Sequence, residues 1–264
     1  VVVPVRIDGL QFSRFSRMEG KLRLRWFPRV RLQVLPPVRL QVDPALQGRV
    51  RRRALGLALG DVMAATEANT RPISRTLLTA LLDAAAAHGR KAPVLEDPAF
   101  TPLGFGRTLV GVAALAPKLS ALSRPGEAIG LMLPNAAGTV VTFFALQAAG
   151  RVPAMLNHSA GAGSMLAACT AAQVRTVLCS RLFVEKGKLG RVVAAMEGQV
   201  RFVWMEDLRA GITRGDKLRA LWSSRRLRHQ PGAALDPGSP AVILFTSGSE
   251  GAPKGVVLSH RNLL

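Results

Sequence analysis

The chain has 264 residues, 48% of them hydrophobic and 20% charged, with 25 glycines, 17 prolines, two cysteines and no tyrosine. That content supports a sizeable buried core in one large or two smaller domains, and it excludes a disordered chain and a disulfide scaffold. The formal net charge of +20 is uneven, because the first sixty residues hold thirteen Lys/Arg against Asp8, Glu19 and Asp43, which is half of the excess. A stretch of that sign attracts nucleic acid or an anionic lipid surface. With no tyrosine, no zinc-ligand pattern and no aromatic residues interleaved among the arginines, base-stacking modules lack their parts. No nucleic acid is therefore expected, and an anionic membrane surface is the better partner. For any single arginine an ordinary solvated face remains sufficient.

Val1–Ile7 is an apolar run that reads as a strand. Val30–Leu35 alternates Val30, Leu32 and Val34 with Arg31 and Gln33, a second strand signal ended by Pro36-Pro37. After Asp43-Pro44 the basic stretch Val50–Ala65 reads as helix, and the polar Glu67–Pro72 reads as a connector. Leu77, Leu78, Leu81, Leu82 and Ala85 share one helical face, stopped by Gly89. Leu109–Leu122 is helical in pattern but interrupted by Pro117.

Strands and helices then alternate: strand Ala128–Leu133, helix Ala136–Ala149, strand Val152–Leu156, helix Ser164–Ala172, strand Thr176–Cys179, helix Leu189–Met196, strand Arg201–Met205 and strand Ala241–Phe245. This predicts an α/β fold with a largely parallel sheet and right-handed crossovers. Ala128–Gly150 carries no charge and is long enough to cross a bilayer, but Pro134-Asn135 and its glycines divide it into strand and helix, so it reads as core. Lys217–Arg228 sets Leu218, Leu221 and Trp222 among arginines and fits either a membrane-lying helix or a solvated helix packed on its own domain. Cys169 and Cys179 lack metal spacing, so buried reduced thiols are expected and no metal site is predicted. His158 has no carboxylate partner in the pattern and reads as a surface or hydrogen-bonded residue.

The chemistry concentrates after Ala241–Phe245, where residues 246 to 255 read Thr-Ser-Gly-Ser-Glu-Gly-Ala-Pro-Lys-Gly. Hydroxyls of Thr246, Ser247 and Ser249 suit phosphate oxygens, Gly248 and Gly251 let backbone N–H groups come close, and Lys254 adds a positive charge. A Walker A loop requires G-x-x-x-x-G-K-[ST], whereas Ala252 and Pro253 separate Gly251 from Lys254 and Gly255 follows, so an ordinary P-loop is disfavoured. Turn chemistry alone permits a Gly/Ser connector, but that does not account for a lysine and three hydroxyls in one loop. Glu250 either points away from phosphates or meets a metal. A glycine loop leaving a buried strand also sits where open α/β sheets gather ligands.

This decapeptide resembles the phosphate-binding signature of the AMP-forming acyl-adenylate synthetases, the superfamily of acyl-CoA synthetases, luciferases and non-ribosomal adenylation domains. Further landmarks narrow the resemblance: Gly130-Leu131-Met132-Leu133-Pro134-Asn135, Pro153–Asn157, Glu185–Leu189, Glu206-Asp207-Leu208 and Phe245–Val257. Together with Val3–Gly9, Phe15–Arg17 and Leu35–Pro37, they resemble a bacterial bifunctional family that joins a 2-acylglycerophosphoethanolamine acyltransferase to an acyl-ACP synthetase. The resemblance implies a C-terminal remnant of a glycerolipid acyltransferase domain at 1–57, a linker at 58–75 and the N-terminal part of an adenylation domain at 76–264.

It further implies a chemistry of ATP and Mg²⁺ with a fatty acid, giving an acyl-adenylate and then acyl carrier protein thioester. The acyl group then moves to a lysophospholipid at the cytoplasmic face of a bacterial inner membrane. Thr246, Ser247, Gly248, Ser249, Glu250, Gly251, Lys254 and Gly255 are the implied nucleotide site. The family's His-x-x-x-x-Asp pair is missing, since His88, His158, His229 and His260 have no aspartate five residues on. No catalytic residue is therefore assigned here. The chain opens Val1-Val2-Val3-Pro4 without Met and stops at Leu264 with Ser259 capping a first turn at Arg261–Leu264, as expected of a fragment that alone has neither activity. Two other readings stand beside this one: a stand-alone acyl-CoA ligase, and a non-catalytic basic lipid- or nucleic-acid-binding module.

Overall fold

A computed structural model describes residues 1–17, 22–97, 100–246 and 253–264. The chain divides into two units, Val1–Pro72 and Ile73–Leu264.

In the first unit, β1 (Val5–Asp8) pairs antiparallel with β2 (Arg31–Val34), Val5 opposite Val34 and Asp8 opposite Arg31. Both strand signals of this region form. The helix α1 (Gly48–Thr70) runs through most of the 58–75 stretch read from the sequence as a linker. Its alanines and leucines sustain helix until Arg71, whose extended backbone is the conformation a following proline imposes. Arg6 ties hairpin to helix: its Nε meets Asp8 at 2.9 Å, and Nη1 donates to the Glu67 carbonyl and the Thr70 hydroxyl at 3.3 and 3.1 Å. No large apolar side chain of this unit is buried among the described residues, and Phe15, Trp26 and Phe27 stand exposed.

The second unit begins with α2 (Leu77–His88), started by a reciprocal Thr76–Thr79 capping box and stopped at Gly89 with φ +92°, a conformation that favours glycine. The hairpin β3 (Pro93–Asp97) and β4 (Phe100–Gly104) follows, which the sequence reading left unassigned. Helix α3 (Phe105–Ser120) passes through Pro117 without ending, because that proline sits in the last turn and the face of Leu109, Val112, Ala116 and Leu119 is buried.

Then come β5 (Ala128–Met132), α4 (Ala137–Ala148), β6 (Val152–Met155), α5 (Gly161–Ala171), β7 (Thr176–Cys179), α6 (Arg181–Lys186), α7 (Gly190–Met196), β8 (Arg201–Trp204), α8 (Met205–Ala210) and α9 (Arg214–Ser223). The chain closes with β9 (Pro240–Thr246), β10 (Lys254–Ser259) and α10 (His260–Leu263). Every expected strand from 128 to 246 is present within one or two residues; α6, α8 and β10 were not anticipated. Among the described residues no helix is long and apolar enough to cross a membrane.

The sheet has the order β10-β9-β6-β5-β7-β8, parallel from β9 to β8 with β10 antiparallel at one edge. The α/β fold with a mainly parallel sheet is thus the one the alternation predicts. Strand periodicity feeds two cores: Ile129, Leu131 and Leu178 face α2, α3 and α4, while Met132, Val177 and Cys179 face α5 and α7. Gly130 lies on the second face, where an added Cβ would sit 2.9 Å from Leu156 and 3.0 Å from Val177. Arg151 is buried beneath the sheet and bonded to the carbonyls of Ser120, Ser123 and Ala149, which replace the water its charge loses.

Strand β9 joins this sheet thinly, since it meets β6 at the single register position Ala154 opposite Ile243. A buried side chain adds the missing hold: the Gln147 amide of α4 donates to the Ala241 carbonyl at 2.6 Å. The return from α9 packs on the same place, with Gly232 so close that a Cβ would overlap the Gln147 carbonyl. Replacing Gln147→Met keeps the volume but strands a buried carbonyl, so urea unfolding should show a loss of about 1–3 kcal/mol with helix content unchanged.

Candidate functional site

The five parallel strands share one carboxyl edge, the side of an open α/β sheet on which ligands collect. From β5 the chain steps to β6 on one side through α4, then crosses to β7 on the other through α5. The direction of winding therefore reverses at β5. Strand β9 delivers the candidate phosphate loop to this same edge.

Of the residues singled out from the sequence, the structure describes Thr246, Lys254 and Gly255; Ser247, Gly248, Ser249, Glu250 and Gly251 lie outside the described residues. Thr246 and Lys254 are opposite partners in the β9–β10 ladder, and Phe245 faces Gly255. Opposite residues of an antiparallel pair point to one face, so the hydroxyl and the ammonium stand side by side at the mouth of the hairpin, both exposed. A hydroxyl donor and a fixed cation beside a glycine-containing loop suit a polyanion. Gly255 leaves room for the Phe245 ring, 3.5 Å from where its Cβ would be.

The far end of the hairpin is pinned. A register shift between Leu258 and Ser259 ends β10, and Ser259 and Asn262 form a reciprocal capping box for α10. His260 is fully buried, and its Nδ1 accepts from the Leu77 amide at 3.1 Å, at the start of α2. Burial holds its pKa below the ordinary 6.5.

Along the same edge the residues just past β7 and β8 engage one another. The Ser180 hydroxyl donates to Glu206 Oε1 at 2.7 Å, and Arg181 grips Asp207 through two bonds of 2.6 and 2.8 Å while lying 5.0 Å over Trp204. Desolvation opposes the Glu206 charge, but the Ser180 hydroxyl and nearby backbone amides outweigh it and hold the carboxyl below its ordinary range. The Arg181 guanidinium likewise holds Asp207 down. Sequence reasoning quoted Glu206 and Asp207 only as landmarks and missed their pairing with Ser180 and Arg181. The available signal was position, because each follows directly on a parallel strand.

His158 is exposed, as its reading as a surface residue expects, and its ring packs edge-on against Phe183 at 5.0 Å. Both cysteines are free and buried, with their thiols pushed up to about 11 for Cys169 and about 12 for Cys179, so neither acts as a nucleophile. Helix α9 buries Ala220 and leaves Leu218 and Trp222 exposed. Among the described residues no group of three or more His, Cys, Asp or Glu has the arrangement to bind a metal ion.

A mainly parallel sheet covered by helices defines an α/β protein, and comparison with known proteins gives the family. The model of the AMP-binding enzyme family matches residues 82–264, well over half of the chain, and the chain belongs to that family. It is 31% identical over 150 residues to 4-coumarate--CoA ligase-like 3 of Oryza sativa subsp. japonica, covering 53% of this chain and 24% of that protein. It is 29% identical over 138 residues to the salicyl-AMP ligase / salicyl-S-ArCP synthetase of Mycobacterium tuberculosis, covering 52% of this chain and 24% of that one. The crystal structure of VinN superposes with a TM-score of 0.56 at 22% identity, over 71% of this chain and 46% of VinN. The inhibitor-bound N-terminal domain of FACL13 from Mycobacterium tuberculosis gives 0.54 at 19%, over 70% and 44%. The chain thus spans about a quarter of those curated relatives and under half of those structures.

The His260 contact makes the unit acid-sensitive. Its folded pKa lies below the unfolded value, so its contribution to stability is complete above 6.5 and is lost as pH falls through the folded pKa. Urea unfolding should therefore weaken below pH 6.5, and His260→Asn should flatten that dependence while lowering stability at pH 7.5.

Proposed function

We propose that this chain contributes the phosphate-binding part of an ATP-dependent enzyme that activates a carboxylic acid as its acyl-adenylate. The observation that carries this is the pairing of Thr246 with Lys254 in one ladder at the carboxyl edge, within a chain of the AMP-binding family. Lys254 neutralises charge on the β- and γ-phosphates, Thr246 and the loop hydroxyls Ser247 and Ser249 donate to their oxygens, and Gly248 and Gly251 admit backbone N–H groups. The work of these residues is positioning and charge neutralisation while the carboxylate reaches the α-phosphorus. Bound Mg²⁺ supplies further neutralisation of the phosphates.

For the acid and its acceptor, our reading is a fatty acid passed to acyl carrier protein and then to a lysophospholipid. The first unit would be the end of a glycerolipid acyltransferase domain at an anionic bacterial membrane. Sequence resemblance supports this, as does the basic excess of residues 1–60. The second reading, a stand-alone ligase using coenzyme A, is favoured by the match to 4-coumarate--CoA ligase-like 3. Acyl-transfer assays that offer the full-length protein carrier protein and coenzyme A as rival acceptors, with and without lysophospholipid, separate the two.

Lys254→Ala combined with Thr246→Ala removes one charge-assisted and one neutral donor, so ATP should bind the full-length protein about tenfold or more weakly by calorimetry. Unchanged affinity would sink the assignment of this loop.

A further inference from the structure

Away from the β9–β10 hairpin, a cavity of about 620 Å³ opens between the 90–91 turn, the start of α3 and the end of α9. Its lining includes Arg90, Lys91, Arg107 and Arg225 and contains no carboxylate. Five cations of this unit have a carboxylate within ion-pair distance: Arg75 and Arg228 with Asp83, Lys118 and Arg219 with Asp216, and Arg181 with Asp207. Among the described residues none of the four cations at the cavity forms such a pair.

The cluster is built by backbone, not left to side-chain chance. The amides of Phe105 and Gly106 donate to the carbonyls of Ala92 and Arg90 at 3.0 and 2.7 Å, which lays residues 90–92 across the head of α3. The crossing is tight, since a Cβ on Gly106 would sit 3.0 Å from the Arg90 carbonyl. Arg90 Nη2 donates to the Oγ of buried Ser224 at 2.9 Å, and Arg225 Nη1 donates to the Leu221 carbonyl at 3.2 Å. Desolvation, and then the charge of Arg225 on the same cavity lining, lower the Arg90 pKa. Val110 and Leu221 give the cavity an apolar wall.

We propose that this cavity binds a phosphate-bearing small molecule or headgroup of two or more negative charges, with an apolar body against Val110 and Leu221. Guanidinium groups at separate positions match phosphate oxygens in forked pairs, and an anion there relieves the Arg90–Arg225 repulsion. The charge on the ligand supplies affinity and the cavity wall supplies selection.

Calorimetry on the full chain with sodium pyrophosphate and with monomeric short-chain phosphatidate tests the proposal. Vesicles of phosphatidylglycerol in phosphatidylcholine form a third arm. Saturable one-to-one binding of the phosphatidate is expected, stronger than that of pyrophosphate at this cavity. Arg90→Gln with Arg225→Gln should weaken it about tenfold or more, and Lys91→Gln, which breaks no hydrogen bond to the fold among the described residues, should weaken it in the same direction. Lys254→Ala should leave phosphatidate binding unchanged and remove only the pyrophosphate that binds at the β9–β10 loop. Vesicle binding with the same dependence on these variants assigns the ligand to a lipid headgroup, and soluble binding without it assigns a free metabolite. The proposal is overturned by absence of phosphatidate binding, by its loss in Lys254→Ala, or by equal loss in Arg191→Gln, an exposed arginine elsewhere on the unit.

Discussion

The strand that carries the candidate loop is placed by a buried side-chain amide together with its own buried residues Ala241, Val242 and Ile243. Parallel strands β5 to β8 hold each other through four register pairs at each junction, but β9 meets its neighbour at one. Gln147 bonds the β9 backbone from the adjoining helix through its side chain, and Gly232 passes close against the Gln147 backbone carbonyl. A polar group at this depth is costly unless satisfied, so the bond fixes where β9 lies as much as it stabilises it. The position of Thr246 and Lys254 follows from that strand.

Charge in this molecule is organised by place. The first unit presents its arginines to solvent around exposed aromatic rings, with Arg14 lying 4.4 Å over Trp26. The second unit uses cations structurally: Arg151 sits inside, surrounded by carbonyls, and Arg181 clamps Asp207 at the sheet edge. The net charge of +20 is therefore a mixture of surface potential and internal struts, and only the surface share acts on a distant anion.

Much of the second unit was legible in the sequence because buried parallel strands are short apolar runs bounded by turn or polar residues, as in Ala128–Met132 after Gly126 and Thr176–Cys179 between Arg175 and Ser180. Pro117 misled, since a proline in the final turn costs little when three turns of buried side chains already hold the helix. β10 escaped notice because Val256 and Val257 remain exposed on an edge strand, and no alternation marks them. The candidate loop stands in the sequence as an ordered set of residue types, of which Thr246, Lys254 and Gly255 fall among the described residues. The Ser180–Glu206 and Arg181–Asp207 pairs were not legible, because residues 26 apart meet only through the parallel alignment of β7 with β8.

Antiparallel pairing carries a hidden hazard for a site of this kind: sliding β10 by one residue would turn the lysine through the sheet to the opposite side. The irregularity at Leu258/Ser259, the Ser259–Asn262 box and the sunken imidazole of His260 forbid that slide. What looks like a remote helix start is thus the gauge that sets which way the ammonium faces, and tampering with it would misaim the loop without touching any residue in it.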